Sequence, residues 1–262
     1  MQYYRAAGVI YSMRKNKIIA LVVMLAATCL GAAAQGEKVQ NKPYTDLRPF
    51  HFGVLIGTHL QDIELLNTGP QTIVSDDGTT TETLITCDQD RWDAGFTVGV
   101  LGEARLNASF ALRIAPAMYF GTKHITFNNL SELQSDGTPT QQIQELKTVY
   151  ISTACELIYG SKRHNNHRPY ILAGINPMFN LSGKDTDCLK MKKYDCYLEL
   201  GLGCDFYMPF FKLRPELKFM YSLMNSLDTN HAAELKDETM RLYAGSVGEA
   251  HAKMICLTFY FE

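Results

Sequence analysis

Apolar and polar residues alternate with a period of two along most of the chain after Arg48. Phe50, Phe52 and Val54, for example, share one face of the first such segment, with His51 on the other. Successive side chains of a β-strand point to opposite sides, so this pattern predicts strands rather than helices. It recurs in eight segments, at residues 49–60, 91–106, 110–124, 146–160, 169–181, 194–207, 211–222 and 252–261.

The connectors between these segments alternate in length. The short ones lie at residues 107–109, 161–168 and 208–210, and the long ones at 61–90, 125–145, 182–193 and 223–251. An even number of strands, with short turns at one end and long loops at the other, is typical of an outer-membrane β-barrel. The alternative is a soluble β-sandwich, which does not need this asymmetry. The sequence therefore predicts an all-β, eight-stranded, antiparallel up-and-down transmembrane barrel.

Charge lies mainly on one face of the predicted strands, and Lys147 and Lys253, the exceptions on the other face, fall at strand ends. The central part of the apolar face carries no charged residue, whereas the other face carries many. In a barrel the apolar face contacts lipid and the polar face lines the lumen. Asp93 and Arg105 also lie on the polar face, and its main set is Glu103, Arg113, Glu156, Glu199, Asp205, Lys212, Arg214, Glu216 and Lys218. Eight strands leave an interior just wide enough for side chains, so we expect these charges to form a salt-bridged network that closes the lumen.

The first short turn predicts the register of the strands that flank it. A three-residue turn at 107–109 pairs Leu106 with Phe110, and this pairing places Glu103 directly opposite Arg113. The sixth and seventh strands leave two registers open. One sets Asp205 against Lys212 and Glu199 against Lys218, and the other sets Asp205 against Arg214.

Three prolines, Pro116, Pro177 and Pro215, fall inside predicted strands. A closed barrel has no free edge at which a missing N–H does no harm. We therefore expect β-bulges at these positions.

The N-terminal segment has the features of a secretion signal. Basic residues at 14–17 precede an apolar run at 18–30, and Ala32–Ala34 supplies the small residues of a cleavage site before Gln35. A start at Met13 would suffice for such a signal, and a retained membrane anchor is the alternative. The expected organisation is a signal peptide at 1–34, a periplasmic linker at 35–47 and the barrel at 48–262. An even strand count then predicts that both termini are periplasmic and the long loops extracellular.

Several stretches resemble PorT-type barrels. The opening strand, Arg48-Pro49-Phe50-His51-Phe52-Gly53, carries the resemblance best, and later stretches extend it over most of the chain. The resemblance implies an eight-stranded outer-membrane protein of the Bacteroidetes type. Named members are required for type IX secretion, although many relatives share the barrel without that role. The family supplies no catalytic residues, and its members imply secretion-system proteins as partners.

Other chemistry is not evident in the sequence. It contains no nucleophile elbow, P-loop, zinc-ligand cluster or dinucleotide-binding motif, so we expect a non-enzyme with no cofactor, metal or small-molecule substrate. A net charge of −2, which becomes more negative once the basic signal is removed, excludes a general nucleic-acid binder. The main hypothesis is a component or assembly factor of type IX protein secretion. The alternatives are a narrow pore, or adhesion or defence through the long loops.

Six cysteines remain after the signal, in a compartment that permits disulfides. Cys155 and Cys204 fall on the apolar face, where they act as small hydrophobic residues. Cys87 and Cys188 lie in loops at one end of the barrel, and Cys196 is a third candidate for pairing there. The sequence leaves the pairing open.

Overall fold

The computed structural model describes residues 39–74, 80–182, 187–235 and 237–262. The expected signal peptide lies outside these ranges. The chain forms two units, and the larger one contains residues 41–163 and 167–262. In the described part of the smaller unit, the Asn166 side chain donates a hydrogen bond to the Val39 carbonyl (3.0 Å).

Eleven strands form within the described ranges. They are β1 (Phe50–Asn67), β2 (Gln71–Val74), β3 (Thr80–Thr83), β4 (Ile85–Asp88), β5 (Asp93–Arg105), β6 (Phe110–Leu133), β7 (Pro139–Gly160), β8 (His167–Asn180), β9 (Tyr194–Tyr207), β10 (Lys212–Ser222) and β11 (Val247–Phe261). β1 and β5–β11 pair with their neighbours in an antiparallel up-and-down order, and the β6–β7 pairing closes the ring. The predicted eight-stranded barrel is confirmed. β4 adds a ninth strand beside β6, and β2 and β3 form a separate hairpin.

The barrel has a turn end and a loop end. The turn end carries the short connectors 106–109, 161–166 and 208–211, and the loop end carries the other connectors. At the loop end β6 and β7 are longer than predicted, so that the expected long connector 125–145 is mostly strand and only residues 134–138 turn. The outward side chains of this extension are largely polar. The sequence there lacks the alternation of apolar and polar residues that predicts a strand, so the extension was not predicted.

The three prolines cause no bulge. The ladder keeps the same register on both sides of Pro116, with Gly99 opposite Ala117 and Gly102 opposite Ile114. In an antiparallel ladder a residue directs its N–H toward only one neighbouring strand, so a proline weakens one side and leaves the other intact. Pro116, Pro177 and Pro215 stay paired with one neighbour, opposite Thr153, Cys196 and Phe259 respectively. The expectation of bulges was wrong.

The outer wall of the barrel is apolar. Phe52, Val54, Phe96 and Leu200 project outward and are 75%, 55%, 54% and 52% exposed. Charged side chains such as Arg113 point inward and are buried. A soluble sandwich would bury its apolar face, so this inside-out distribution fits a barrel whose surroundings are lipid. The predicted assignment of faces is confirmed.

A packed apolar cluster fills the loop end. It joins inward side chains of the barrel strands to β4, to residues 187–193 and to the connector that carries α1 (His231–Glu234) and α2 (Glu238–Gly245). We call these three segments the loop cap. Cluster members include Ile63, Ile85, Cys87, Ile125, Phe127, Leu146, Cys188, Leu189, Met191, Leu227, Leu235, Tyr243 and Val247. No helix in the described ranges is long and apolar enough to cross a membrane.

Candidate functional site

The nine charged residues of the predicted network all lie inside the barrel, and each is at most 8% exposed. They are Glu103, Arg113, Glu156, Glu199, Asp205, Lys212, Arg214, Glu216 and Lys218. They come from five different strands and occupy the half of the lumen nearer the turn end. The two other polar-face charges lie apart. Asp93 is at the loop end beside His124, and Arg105 donates to the Asn107 carbonyl at the turn end (3.1 Å).

The observed registers oppose acids to bases. Glu103 lies opposite Arg113, as the three-residue turn predicted. Between β9 and β10, Lys212 lies opposite Tyr207, which is the second of the two open registers. Accordingly Arg214 Nε lies 2.6 Å from Asp205 Oδ1.

Arg113 is the centre of the network. Its guanidinium contacts Glu103 Oε2 at 3.3 Å, Glu156 Oε2 at 3.1 Å and Glu216 Oε2 at 2.8 Å. The first two partners are on the adjacent strands β5 and β7, whereas Glu216 is across the lumen on β10. The guanidinium also lies over the Tyr260 ring, 4.5 Å from its centroid. The side chain therefore spans the interior and obstructs it.

Arg214 forms a second centre nearer the turn end. Its Nη1 donates to Glu103 Oε2 at 2.6 Å and also to Glu262, which in turn pairs with Lys212. Glu103 thus joins the two arginines. Glu262 was not predicted from the sequence, although every second residue of β11 before it points into the lumen.

Lys218 completes the network toward the middle of the barrel. Its Nζ lies 2.9 Å from Glu156 Oε1 and 3.6 Å from Glu199 Oε2. Asn176 donates to Glu199 (2.6 Å), and the Tyr170 hydroxyl donates to Glu216 (2.7 Å). These two neutral partners were also missed. Their inward parity was the available signal, but neutral polar residues do not stand out in a charge pattern.

Two glycines of β9, Gly201 and Gly203, make room for these long side chains. A Cβ at Gly203 would lie 2.4 Å from Tyr170 Cζ, and one at Gly201 would lie 2.9 Å from Lys218 Cγ. Both distances are closer than a real Cβ tolerates. The network therefore depends on the absence of side chains on one stretch of β9.

The arrangement fills the turn-end half of the lumen with paired charges. Buried charges are stabilised when they are paired and hydrogen-bonded, and each of the nine network residues has an oppositely charged partner. Within the described ranges there is no group of three histidine, cysteine or acidic side chains that could hold a metal ion. His59 Nδ1 lies 3.0 Å from Thr97 Oγ1, and His51 Nδ1 lies 3.6 Å from Glu262 Oε2.

The motif Arg48-Pro49-Phe50-His51-Phe52-Gly53 opens the barrel. Arg48 and Pro49 precede β1, Phe50 and Phe52 project outward, and His51 and Gly53 face the lumen. A Cβ at Gly53 would lie 2.3 Å from the Phe261 carbonyl oxygen, so β1 and β11 approach closely there. The motif therefore belongs to the junction of the first and last strands.

The six described cysteines are free thiols. Cys155 lies exposed on the outer wall and Cys204 is half-buried. Cys87 and Cys188 are both buried in the loop cap, and burial raises the pKa of the Cys188 thiol to about 12. The thiol of Cys188 is therefore protonated and unreactive at neutral pH.

The chain matches the family of outer membrane protein beta-barrel domains over residues 33–228. It belongs to this family. The chain is thus an outer-membrane β-barrel protein. A search of curated proteins finds no match.

Solved structures that this chain resembles include small barrels of several bacteria. Neisserial surface protein A is 12% identical, with 81% of this chain and 98% of that chain covered and a TM-score of 0.39. OprG of Pseudomonas aeruginosa is 12% identical, with coverages of 80% and 91% and a TM-score of 0.42. Ail, the attachment invasion locus protein of Yersinia pestis, is 12% identical, with coverages of 82% and 99% and a TM-score of 0.35.

Proposed function

We propose that the protein is a sealed, non-enzymatic outer-membrane barrel that acts through contacts with partner proteins, as a component or assembly factor of type IX protein secretion. The observation that supports a sealed barrel is the obstruction of the lumen by Arg113 and its partners. The loop cap is packed into the other end. A barrel with no passage works through its surfaces. The resemblance of Arg48–Gly53 to the PorT-type opening strand supports the secretion role.

The proposed orientation places both termini in the periplasm and the loop cap outside the cell. The residues that precede β1 then form part of the periplasmic surface. Asp46 accepts a hydrogen bond from the Tyr207 hydroxyl (2.6 Å), and the Asn41 side-chain amide donates to the Tyr207 carbonyl (2.9 Å). These contacts fix residues 41–47 against the turn end of the barrel.

This fixed segment presents apolar side chains to solvent. Tyr44 is 76% exposed and Leu47 is 64% exposed, in and beside the short 3-10 turn Thr45–Leu47. Tyrosine is among the commonest anchors of protein interfaces, and the exposed Leu47 adds apolar area beside Tyr44. We assign Tyr44 and Leu47 as contact residues for a periplasmic secretion partner.

The test is deletion of the gene, followed by measurement of secreted cargo in the medium. We expect cargo to be retained in the cell and export to return with the wild-type gene. Complementation with Tyr44→Ser/Leu47→Ser should restore the barrel in the membrane but not export. Normal export in the deletion strain would remove the secretion role and leave the sealed barrel in place.

Adhesion is the second candidate, and the observation that favours it is the projecting β6–β7 hairpin. Leu130, Leu133 and Ile143 in this hairpin are 42%, 62% and 65% exposed. If the hairpin binds a host or neighbouring cell, replacing residues 130–143 by a short turn should reduce cell attachment while cargo export stays normal.

A further inference from the structure

The wall of the barrel has a break in its strand pairing near the loop end. The ladder between β5 and β6 ends at Phe96 and Phe120, although both strands continue. β4 takes over as the neighbour of β6 only at Thr126, which lies opposite Asp88. Over residues 121–125, β6 is paired with β7 alone.

Side chains replace the missing ladder. The Asp93 carboxylate accepts the backbone N–H of His124 (2.7 Å), and the Gln61 amide donates to the Thr122 carbonyl (3.1 Å). Backbone polar groups at membrane depth must be satisfied by protein. The two side chains therefore satisfy backbone groups of β6 that have no strand partner at the break.

Two glycines make the wall thin at this break. A Cβ at Gly95 would lie 2.3 Å from His59 Nε2, and one at Gly121 would lie 2.4 Å from Gln61 Nε2. Lumen side chains thus lie directly against bare backbone.

Along the outside of this stretch runs a concave site of about 430 Å³, which we call the wall notch. Its lining includes Asp93, Phe96, Phe120, His124, Lys147 and Val149.

The lower part of the wall notch is apolar. Phe96 and Phe120 stack with their ring centroids 4.8 Å apart, and Val149 lies on the neighbouring strand. These side chains continue the lipid-facing band of the outer wall. An acyl chain fits this part of the site.

The upper part is charged, and most of its charges already have partners. His124 lies between Asp93 (2.9 Å) and Glu145 (3.6 Å), and Arg91 lies 3.3 Å from Asp93. Lys147 is different, because it is exposed and has no hydrogen bond or ion pair within the described part of the chain. It lies one outward position above Val149, where the apolar band ends.

We propose that the wall notch holds one membrane lipid with a phosphate head group. The Lys147 ammonium contacts the phosphate, and one acyl chain lies along Phe96 and Phe120. We infer a phosphate from charge complementarity, because Lys147 is the one base of the described wall notch that has no ion-pair partner. At the membrane boundary a lipid phosphate is the counter-ion available to a lysine. A lipid with an uncharged head group would leave it unpaired.

The test measures lipid retention by native mass spectrometry. The full barrel is reconstituted separately with phosphatidylglycerol and with an uncharged diacylglycerol glycolipid of the same chains, and is then released from detergent. We expect one retained phosphatidylglycerol. Lys147→Gln should reduce its retention about tenfold, the effect of losing one charge-assisted hydrogen bond. Lys193→Gln, an exposed base before β9, is the matched control and should retain the lipid as the parent does.

A photoactivatable acyl chain on phosphatidylglycerol locates the bound lipid. Crosslinks should concentrate on residues 94–96 and 120–122 and should decrease in Lys147→Gln. The proposal is overturned if the glycolipid is retained equally, if Lys193→Gln has the same effect, or if the crosslinks spread evenly over the outer wall.

Discussion

Arg113 on β6 reaches across the barrel to Glu216 on β10, with Nη1 2.8 Å from Oε2. The contact joins strands on opposite sides of the lumen, so it acts as a crossbar as well as an ion pair. Both side chains are buried, at 0% and 1% exposure. Because both side chains are desolvated, removing one of them destabilises the protein more than breaking a surface ion pair would.

Removal of Arg113 alone should therefore destabilise the barrel strongly. Arg113→Met leaves Glu103, Glu156 and Glu216 with fewer cations in a dry lumen, and breaking a buried pair in this way costs about 3–5 kcal/mol. The double variant Arg113→Met/Glu216→Leu should lose less, since one stranded carboxylate is gone. The temperature at which the folded band disappears in a heat-modifiability gel measures both. Arg105→Met, at the exposed turn end, is the control. A double variant that unfolds at a lower temperature than Arg113→Met would contradict the role of the Arg113–Glu216 pair as a crossbar.

The neighbouring strand contacts of this network could be predicted from sequence, whereas the crossbar could not. A three-residue turn and the parity of two strands are enough to set Glu103 opposite Arg113. Which residues lie at the same height across the lumen depends on the tilt and stagger of all eight strands. No local pattern contains that information, so Arg113–Glu216 was not foreseen.

Other differences have similar physical causes. The alternation of apolar and polar residues shows which face of the strand a proline occupies. It does not show toward which neighbouring strand the missing N–H would point, and the expectation of a bulge at Pro116 was therefore wrong. The loop cap gathers Cys87, Leu189 and Tyr243 from distant segments, and only tertiary packing brings them together. Lys123 is fully buried without a hydrogen-bond partner in the described ranges. The only sequence feature that indicated its burial was its position on the inward face of the strand.

Gly203 should tolerate no side chain. Gly203→Val puts a Cβ 2.4 Å from Tyr170 Cζ, and the ring must leave the position from which its hydroxyl donates to Glu216. Overpacking of this kind costs about 1–3 kcal/mol. Gly102→Val is the matched control, because a Cβ there meets only Phe52 at 3.7 Å. The same gel should show a lower transition for the first variant and an unchanged one for the second, and equal shifts would argue against a close-packed lumen.

The proposed orientation predicts which turns a protease reaches on intact cells. A cleavage site inserted at Gly137, in the β6–β7 turn at residues 134–138, should be cut from outside. The same site inserted after Ser161, at the turn end, should be cut only after the outer membrane is permeabilised. Immunoblots of intact and permeabilised cells distinguish the two. Cleavage at Ser161 on intact cells would invert the topology.

The sealed lumen predicts that the protein does not conduct ions. Arg113, Arg214 and Lys218 each bind carboxylates from more than one strand, so ion pairs cross the lumen at several points and oppose the passage of an ion. Eight-stranded barrels in general hold side chains inside, and water-filled porins need about twice as many strands. We therefore expect no steady open state when the purified protein is inserted in a planar bilayer between symmetric salt solutions. A sixteen-stranded porin measured in the same chamber is the positive control for insertion and detection. Reproducible steps in the nanosiemens range from the barrel itself would show that the network opens, and would favour the pore over the contact-mediated role.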